Sequence, residues 1–162
     1  MHRLWTPWRL AYVTEASTIP PGCIFCDALA SPDEPLIVYR GRIAFVILNK
    51  YPYNNGHLMV VPNRHVGRLA DLEPDELHEL ATLTQSAERV LTSVYDPHGF
   101  NMGLNIGKPA GAGVLGHVHV HVVPRWNGDT NFMSVVGETR MLPEELPATS
   151  ERLRAAFARD RA

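Results

Sequence analysis

Residues 117–123 read His-Val-His-Val-His-Val-Val, and no other stretch constrains this chain as strongly. In a β-strand successive side chains alternate faces, so three imidazoles share one face and the valines share the other. The spacing predicts a strand from His117 to Val123, closed by Pro124, with the valine face turned to the core. Same-face residues two apart are ~6.6 Å apart along a strand, so the imidazoles line ~13 Å, the footprint of a di- or triphosphate. Three readings stay open. The histidines can sit on a solvated sheet face, or two of them can chelate a catalytic metal as a His-x-His pair. Alternatively one is a nucleophile toward phosphorus: a neutral imidazole with a pKa of about 6.5 is available at cytosolic pH, whereas Ser or Thr needs a base. The loop leading in, with Gly107, Gly111, Gly113 and Gly116, favours a phosphate ligand, because glycines let backbone N–H groups converge on an anion.

The 162-residue length is enough for one domain with a sizeable core. Fifteen Lys and Arg against seventeen Asp and Glu give a net charge of −2, with histidine neutral. That balance argues against nucleic-acid or membrane-surface partners, which draw on basic patches. With 45% hydrophobic and 20% charged residues, the composition is globular and excludes disorder over most of the length. Apolar runs such as 43–48 and 57–61 fall far short of the ~20 residues a membrane helix needs. The opening MHRLWTPWRLAYV is interrupted by Arg3, Pro7 and Arg9 and lacks the apolar core of a signal peptide. A cytoplasmic location is the expectation. Cys23 and Cys26 stand in a C-x-x-C, too few for a disulfide framework. A redox dithiol, two buried small hydrophobes and half of a zinc site all remain open for this pair.

Patterning predicts an N-terminal arm over 1–22, rich in Trp and Pro, and a short helix from Cys23 to Ala30. Strands follow at 36–40 and 43–48, joined at Gly41, and a third runs from His57 to Val61 before Pro62. Apolar residues at Leu77, Leu80, Leu83, Ala87, Val90, Leu91 and Val94 recur at helical spacing, placing one long helix over Pro74–Val94. A fourth strand is expected at 100–106, a mixed stretch at 126–142 and an amphipathic helix from about Glu144 to Arg161. The expected fold is therefore α+β, with a five-stranded, mainly antiparallel sheet, one long helix and a C-terminal helix.

The His-φ-His-φ-His-φ-φ run resembles the signature of the histidine triad (HIT) nucleotide hydrolases and transferases. The resemblance takes in C-I-F-C at 23–26, N-K-Y-P-Y-N-N-G-H-L-M-V-V-P-N-R-H at 49–65, H-G-F-N-M-G-L-N-I-G at 98–107 and V-V-P-R-W at 122–126. Within that family, L-W-T-P-W-R and P-R-W-N-G-D-T-N-F look most like the bacterial diadenosine tetraphosphate phosphorylases. The resemblance implies a HIT core over 23–126 within a single domain, a C-terminal extension over 127–162 and a homodimer. It makes His119 the nucleophile that attacks an α-phosphorus and carries a covalent nucleotidyl group. His121 and His57 look like the groups that contact phosphate or orient the nucleophile. Asn49 matches the ribose contact, and Asn105 with the Gly111 backbone the phosphate loop, which Gly113 continues. Ile24 and Phe25 look like apolar wall against the base, and Trp126 either caps the site or fills core. Members with this C-x-x-C hold zinc with the histidines matching His65 and His117, which proposes a structural zinc on Cys23, Cys26, His65 and His117. That set would leave His119 and His121 for substrate.

One departure bears on the acceptor of the nucleotidyl group. Hydrolase-type members carry Gln and then Ser or Thr after the loop glycine, whereas this chain has Ala112 and Gly113. Losing those side chains opens room for a second phosphate, which favours inorganic phosphate over water. The expected reaction is phosphorolysis of diadenosine tetraphosphate to ATP and ADP, the substrate arriving as a magnesium complex. The rivals are hydrolysis of dinucleoside polyphosphates or nucleoside phosphoramidates to AMP, a non-catalytic nucleotide-binding signalling module, and a zinc hydrolase. Lys50, Lys108 and Arg125 are candidate partners for distal phosphates or plain surface charges. His2, His78 and His98 read as terminus, exposed helix and turn.

Overall fold

A computed structural model describes residues 22–129 and 144–160. The expected arm, apart from Gly22, and residues 130–142 of the mixed stretch lie outside the described residues. Five strands make one sheet: β1 (Ile37–Arg40), β2 (Ala44–Leu48), β3 (Leu58–Pro62), β4 (Gly99–Gly103) and β5 (Val120–Arg125). Their spatial order is β1-β2-β3-β5-β4, and all four pairings are antiparallel. The α-helices among the described residues are α1 (Ile24–Ala30), α2 (Pro74–Tyr95) and α3 (Leu146–Asp160). This is the expected α+β architecture.

Every residue of β2 and β3 is buried, because both faces of the sheet centre are covered. Ala44, Val46, Leu48, Leu58 and Val60 pack on Leu80, Leu83, Ala87, Val90 and Leu91 of α2 and on Leu153, Ala156 and Phe157 of α3. The alternate residues Phe45, Ile47, Met59 and Val61 pack on the other side with Phe25 and Ala28 of α1. Period-two alternation thus divides two continuous apolar runs between two cores.

The first turn of α2 holds Pro74, and Glu76 Oε2 accepts the Glu73 N–H at 2.9 Å. At the far end Asp96 adopts a left-handed conformation, φ 44°, and its N–H closes the helix on the Thr92 carbonyl. Leu77 departs from the expected buried stripe and is 48% exposed.

The strand expected at His117–Val123 begins only at Val120, so His117 and His119 precede β5. The cause is a change of partner. The β3 ladder ends at the Val60–Val120 pair, and before it the Val118 N–H turns to the Val66 carbonyl at 2.7 Å. Side-chain alternation survives this change. Val120 and Val122 face the helix core, while His119 lies against Phe25 on the α1 side. β4 ends at Gly103 rather than 106, its last pair being Gly103–His121.

Candidate active site and metal centre

Cys23 caps the N-terminus of α1 and Cys26 lies within it, so the short helix presents both thiols together. Cys23 Sγ is 3.3 Å from His117 Nδ1, Cys26 Sγ 3.3 Å from His65 Nδ1 and Cys26 Sγ 3.7 Å from His117 Nδ1. All four donor atoms lie within 4.8 Å of one another. Tetrahedral zinc with ordinary Zn–S and Zn–N bonds needs S···N edges of about 3.6 Å, so the set fits. The tautomer fits too. His117 Nε2 sits 2.8 Å from the Pro62 carbonyl, which only accepts, so Nε2 carries the proton and Nδ1 keeps its lone pair for a metal. Burial pushes the His117 pKa down, which favours the neutral ligand form, and burial together with the Cys23 thiol pushes Cys26 up. His65 is held by its neighbour: Arg64 pairs with Glu76 through Nε at 2.9 Å and Nη2 at 2.6 Å, tying the β3–α2 loop to the start of α2.

His119 is buried, and its Nδ1 lies 2.9 Å from the His117 carbonyl. Nδ1 is therefore the protonated nitrogen, and Nε2 is left with the lone pair. Burial holds the His119 pKa below its ordinary value, so the imidazole is neutral near pH 7. A second fixed tautomer stands beside it. The Tyr53 N–H donates to His57 Nδ1 at 3.2 Å, so His57 Nε2 carries a proton and donates it to His121 Nδ1 at 2.9 Å. His121 thereby keeps its own proton on Nε2. Burial, aided by the charge of His119, pushes the His121 pKa down to about 4. The His119 and His121 rings are 4.8 Å apart at 75°, and the Tyr53 ring stacks on His57 at 4.8 Å.

The structure thus brings two imidazoles, not three, to a common position for chemistry. His117 turns toward the cysteines, and the expected row of three narrows to His119 and His121. His57 is fully buried and reaches His121 rather than open space. Phe25 is 1% exposed and packs against His117 at 5.5 Å and His119 at 5.0 Å, so it supports these rings instead of facing a base. Ile24, 57% exposed, is the residue of that pair that reaches the surface. Asn49 follows β2 with its Oδ1 accepting the Tyr51 N–H at 2.9 Å, and its amide donors have no partner among the described residues. In the glycine loop the Gly111 and Ala112 N–H groups turn inward, to the Lys108 carbonyl at 3.0 Å and the Gly107 carbonyl at 3.3 Å. The Gly111 N–H expected on phosphate is occupied within the loop, and Asn105 and Gly113 lie half-buried on either side. Trp126 is half-buried at the end of β5, its N–H on Asp129 Oδ2. Arg125 is committed to Asp129 and Asn101 rather than to a phosphate. His98 Nδ1 accepts the Asn127 N–H in a turn, as expected, and exposed His78 lines a shallow depression with Arg42 and Asp75 outside the triad.

Reasoning from sequence misses Tyr53 and the Pro62 carbonyl. Tyr53 carried a signal, an aromatic four residues ahead of a histidine across an Asn-Gly turn, but the Pro62 carbonyl is backbone and leaves no mark in residue type.

Residues 33–128 match the HIT domain. The chain belongs to the HIT domain family. This HIT chain is 46% identical to the AP-4-A phosphorylase of Mycobacterium tuberculosis, over 98% of its own length and 86% of that protein. It is 32% identical to the asymmetrical bis(5'-nucleosyl)-tetraphosphatase of Schizosaccharomyces pombe, with 76% of each chain covered. Its fold matches the crystal structure of a Zn-bound histidine triad family protein from Mycobacterium smegmatis with a TM-score of 0.70 at 30% identity, covering 85% of this HIT chain and 94% of that one.

Proposed function

We propose that this HIT chain is an enzyme that transfers nucleotidyl groups from dinucleoside polyphosphates, and that its reaction is phosphorolysis of diadenosine tetraphosphate to ATP and ADP. The observation that carries the reading is the His119 Nδ1–H on the His117 carbonyl, 2.9 Å, which leaves a neutral Nε2 as nucleophile. The 46% identity to a protein named AP-4-A phosphorylase supports the substrate and the acceptor. In the first step the Nε2 lone pair attacks the α-phosphorus, the bond to the bridging oxygen breaks and ATP leaves. In the second, an oxygen of inorganic phosphate attacks the same phosphorus, the P–N bond breaks, and ADP leaves with His119 restored. His121 offers its Nε2–H to phosphate oxygens as their charge develops, the kind of positioned donor that carries most of phosphoryl-type catalysis. Ile24, Asn49, Asn105, Gly113 and Trp126 contact the nucleotide, with Phe25 behind the imidazoles, and the substrate arrives as its magnesium complex.

Cys23, Cys26, His65 and His117 hold a structural zinc, whose chemistry here is to cross-link α1 to the lead-in of β5. The donor set and the Zn-bound M. smegmatis relative support this. The chain acts as a single HIT domain and a homodimer, for which β4 offers a sheet edge with no partner strand among the described residues. It works in the cytoplasm, where the two free thiols stay reduced.

The test incubates the protein with diadenosine tetraphosphate, with and without phosphate, and separates the products by ion exchange beside a His119→Asn control. ADP and ATP formed only with phosphate is the expected result. AMP and ATP regardless of phosphate would instead make it a hydrolase, a reading the S. pombe relative favours.

A further inference from the structure

A largely buried carboxylate, Asp129, grips the turn in front of His57. Asp129 Oδ2 accepts Asn54 Nδ2–H at 2.8 Å, Arg125 Nε–H at 2.6 Å and the Trp126 N–H at 3.2 Å, while Oδ1 takes Arg125 Nη2–H at 2.8 Å. Arg125 also reaches Asn101 Oδ1 on β4 at 2.6 Å. A second largely buried carboxylate, Glu144, holds Tyr95 of α2: it accepts the Tyr95 hydroxyl at 2.5 Å and the Thr149 hydroxyl at 2.8 Å, and pairs with Arg152 at 3.0 Å. The two carboxylate side chains are only 12% and 16% exposed. Burying charge is costly unless it is fully paired, and a surface turn by itself needs no such anchoring.

What lies between the anchors and the site is short. The Asn54 carbonyl accepts the His57 N–H at 3.2 Å, and the preceding Tyr53 N–H is the donor on His57 Nδ1. Gly56 closes the turn at φ +75°, with space for a Cβ limited by Leu91 at 3.0 Å and the Tyr95 ring at 3.2 Å. The turn therefore rests on α2 while Asn54 is fixed from the end of β5. A shift of the turn removes the Tyr53 N–H that keeps the His57 proton on Nε2, and with it the bond to His121.

We propose that Asp129 is a positioning residue for the His57–His121 pair, acting through Asn54 to fix the turn whose Tyr53 N–H selects the His57 tautomer. This rests on the His119 reading for its kinetic arm alone. The experiment uses Asn54→Ala, which cuts the link but keeps the Arg125–Asp129 pair, together with Asp129→Ala, which keeps the Asn54 bond to the Pro124 carbonyl. Long-range proton–nitrogen NMR of the imidazoles in the unliganded protein reads the tautomer directly. Wild type shows His57 protonated on Nε2 alone, and the variants show a mixture of both tautomers. In turnover of diadenosine tetraphosphate, kcat falls about tenfold or more while KM stays within about twofold, because misplaced rather than missing groups lose transition-state contacts. Arg89→Ala, which breaks the Arg89–Asp160 pair between α2 and α3 and the Arg89 bond to Ser86 Oγ, lowers the melting temperature and leaves the tautomer alone. A single unchanged His57 tautomer in Asn54→Ala and Asp129→Ala overturns the proposal, as does a raised KM with kcat intact. Should wild type not turn over diadenosine tetraphosphate, the NMR arm still decides.

Discussion

His121 has its imidazole pKa held down to about 4, mainly by burial. The sign of the effect on stability follows from proton uptake. Above about pH 6.5 neither folded nor unfolded chain protonates this residue, so it contributes nothing. Between about 6.5 and 4 the unfolded chain takes up a proton that the folded chain refuses, and stability falls as pH falls through that window. The urea midpoint of the wild type should therefore drop steeply from pH 6.5 to 4, and His121→Asn should flatten part of that slope. An unchanged slope in the variant would remove His121 as its source. Cys26 supports a separate prediction. Cys26→Ser should reduce bound zinc, measured by atomic absorption, since an alcohol is a poor replacement for a thiolate donor. Equal zinc in both proteins would mean that these four side chains do not hold it. The C-x-x-C and the triad stood out by their spacing, whereas His65 entered only through the resemblance to the HIT family; the structure gathers Cys23, Cys26, His65 and His117 within 4.8 Å of one another. The place of Phe25 was not legible, because an aromatic between two cysteines reads equally well as a base contact or as a support, and only its 1% exposure separates the two.

The elements most legible in sequence were those with the longest periodic signal. Seven apolar positions at helical spacing placed α2; five of them are buried and Val94 is half-buried against the core, while Leu77 falls outside the buried stripe near the helix start. Leu83 is the place to test that packing, being fully buried between the sheet and α3. Leu83→Ala should cost about 2–5 kcal/mol, read from urea denaturation, since the cavity cannot be filled by a rigid sheet on one side and a helix on the other. A loss below about 1 kcal/mol would show that the layer collapses around the gap. The start of β5 was not legible. Alternation of His and Val continues unbroken from 117 to 123, yet the hydrogen-bonding partner changes at Val120, and side-chain pattern records faces, not partners. Likewise the turn at 53–56 announced itself by Asn and Gly, but its anchorage to a carboxylate 75 positions later has no local trace.

At the scale of the molecule, the cysteine–histidine cluster joins segments 94 residues apart, at Cys23 and His117. A ligand that binds only the folded chain stabilises it by mass action, so stripping zinc with a chelator should lower the melting temperature, and added zinc should restore it in proportion to occupancy. Scanning calorimetry checks this, and an identical melting temperature with and without chelator would rule out a structural metal. Residues 33–128 carry the family match, yet Leu153, Ala156 and Phe157 of α3 complete the main core from beyond it. The strand order has a further consequence, for the time course of synthesis. β5 lies between β3 and β4, so both wait for it: β4 has no neighbour in the sheet, and β3 keeps an open edge, until residues 120–125 have emerged from the ribosome. The strand carrying His121 is the keystone, set last among the five. A nascent chain halted before it holds hydrophobic layers with an open seam, so closure of the sheet and the meeting of His57 with His121 become one event.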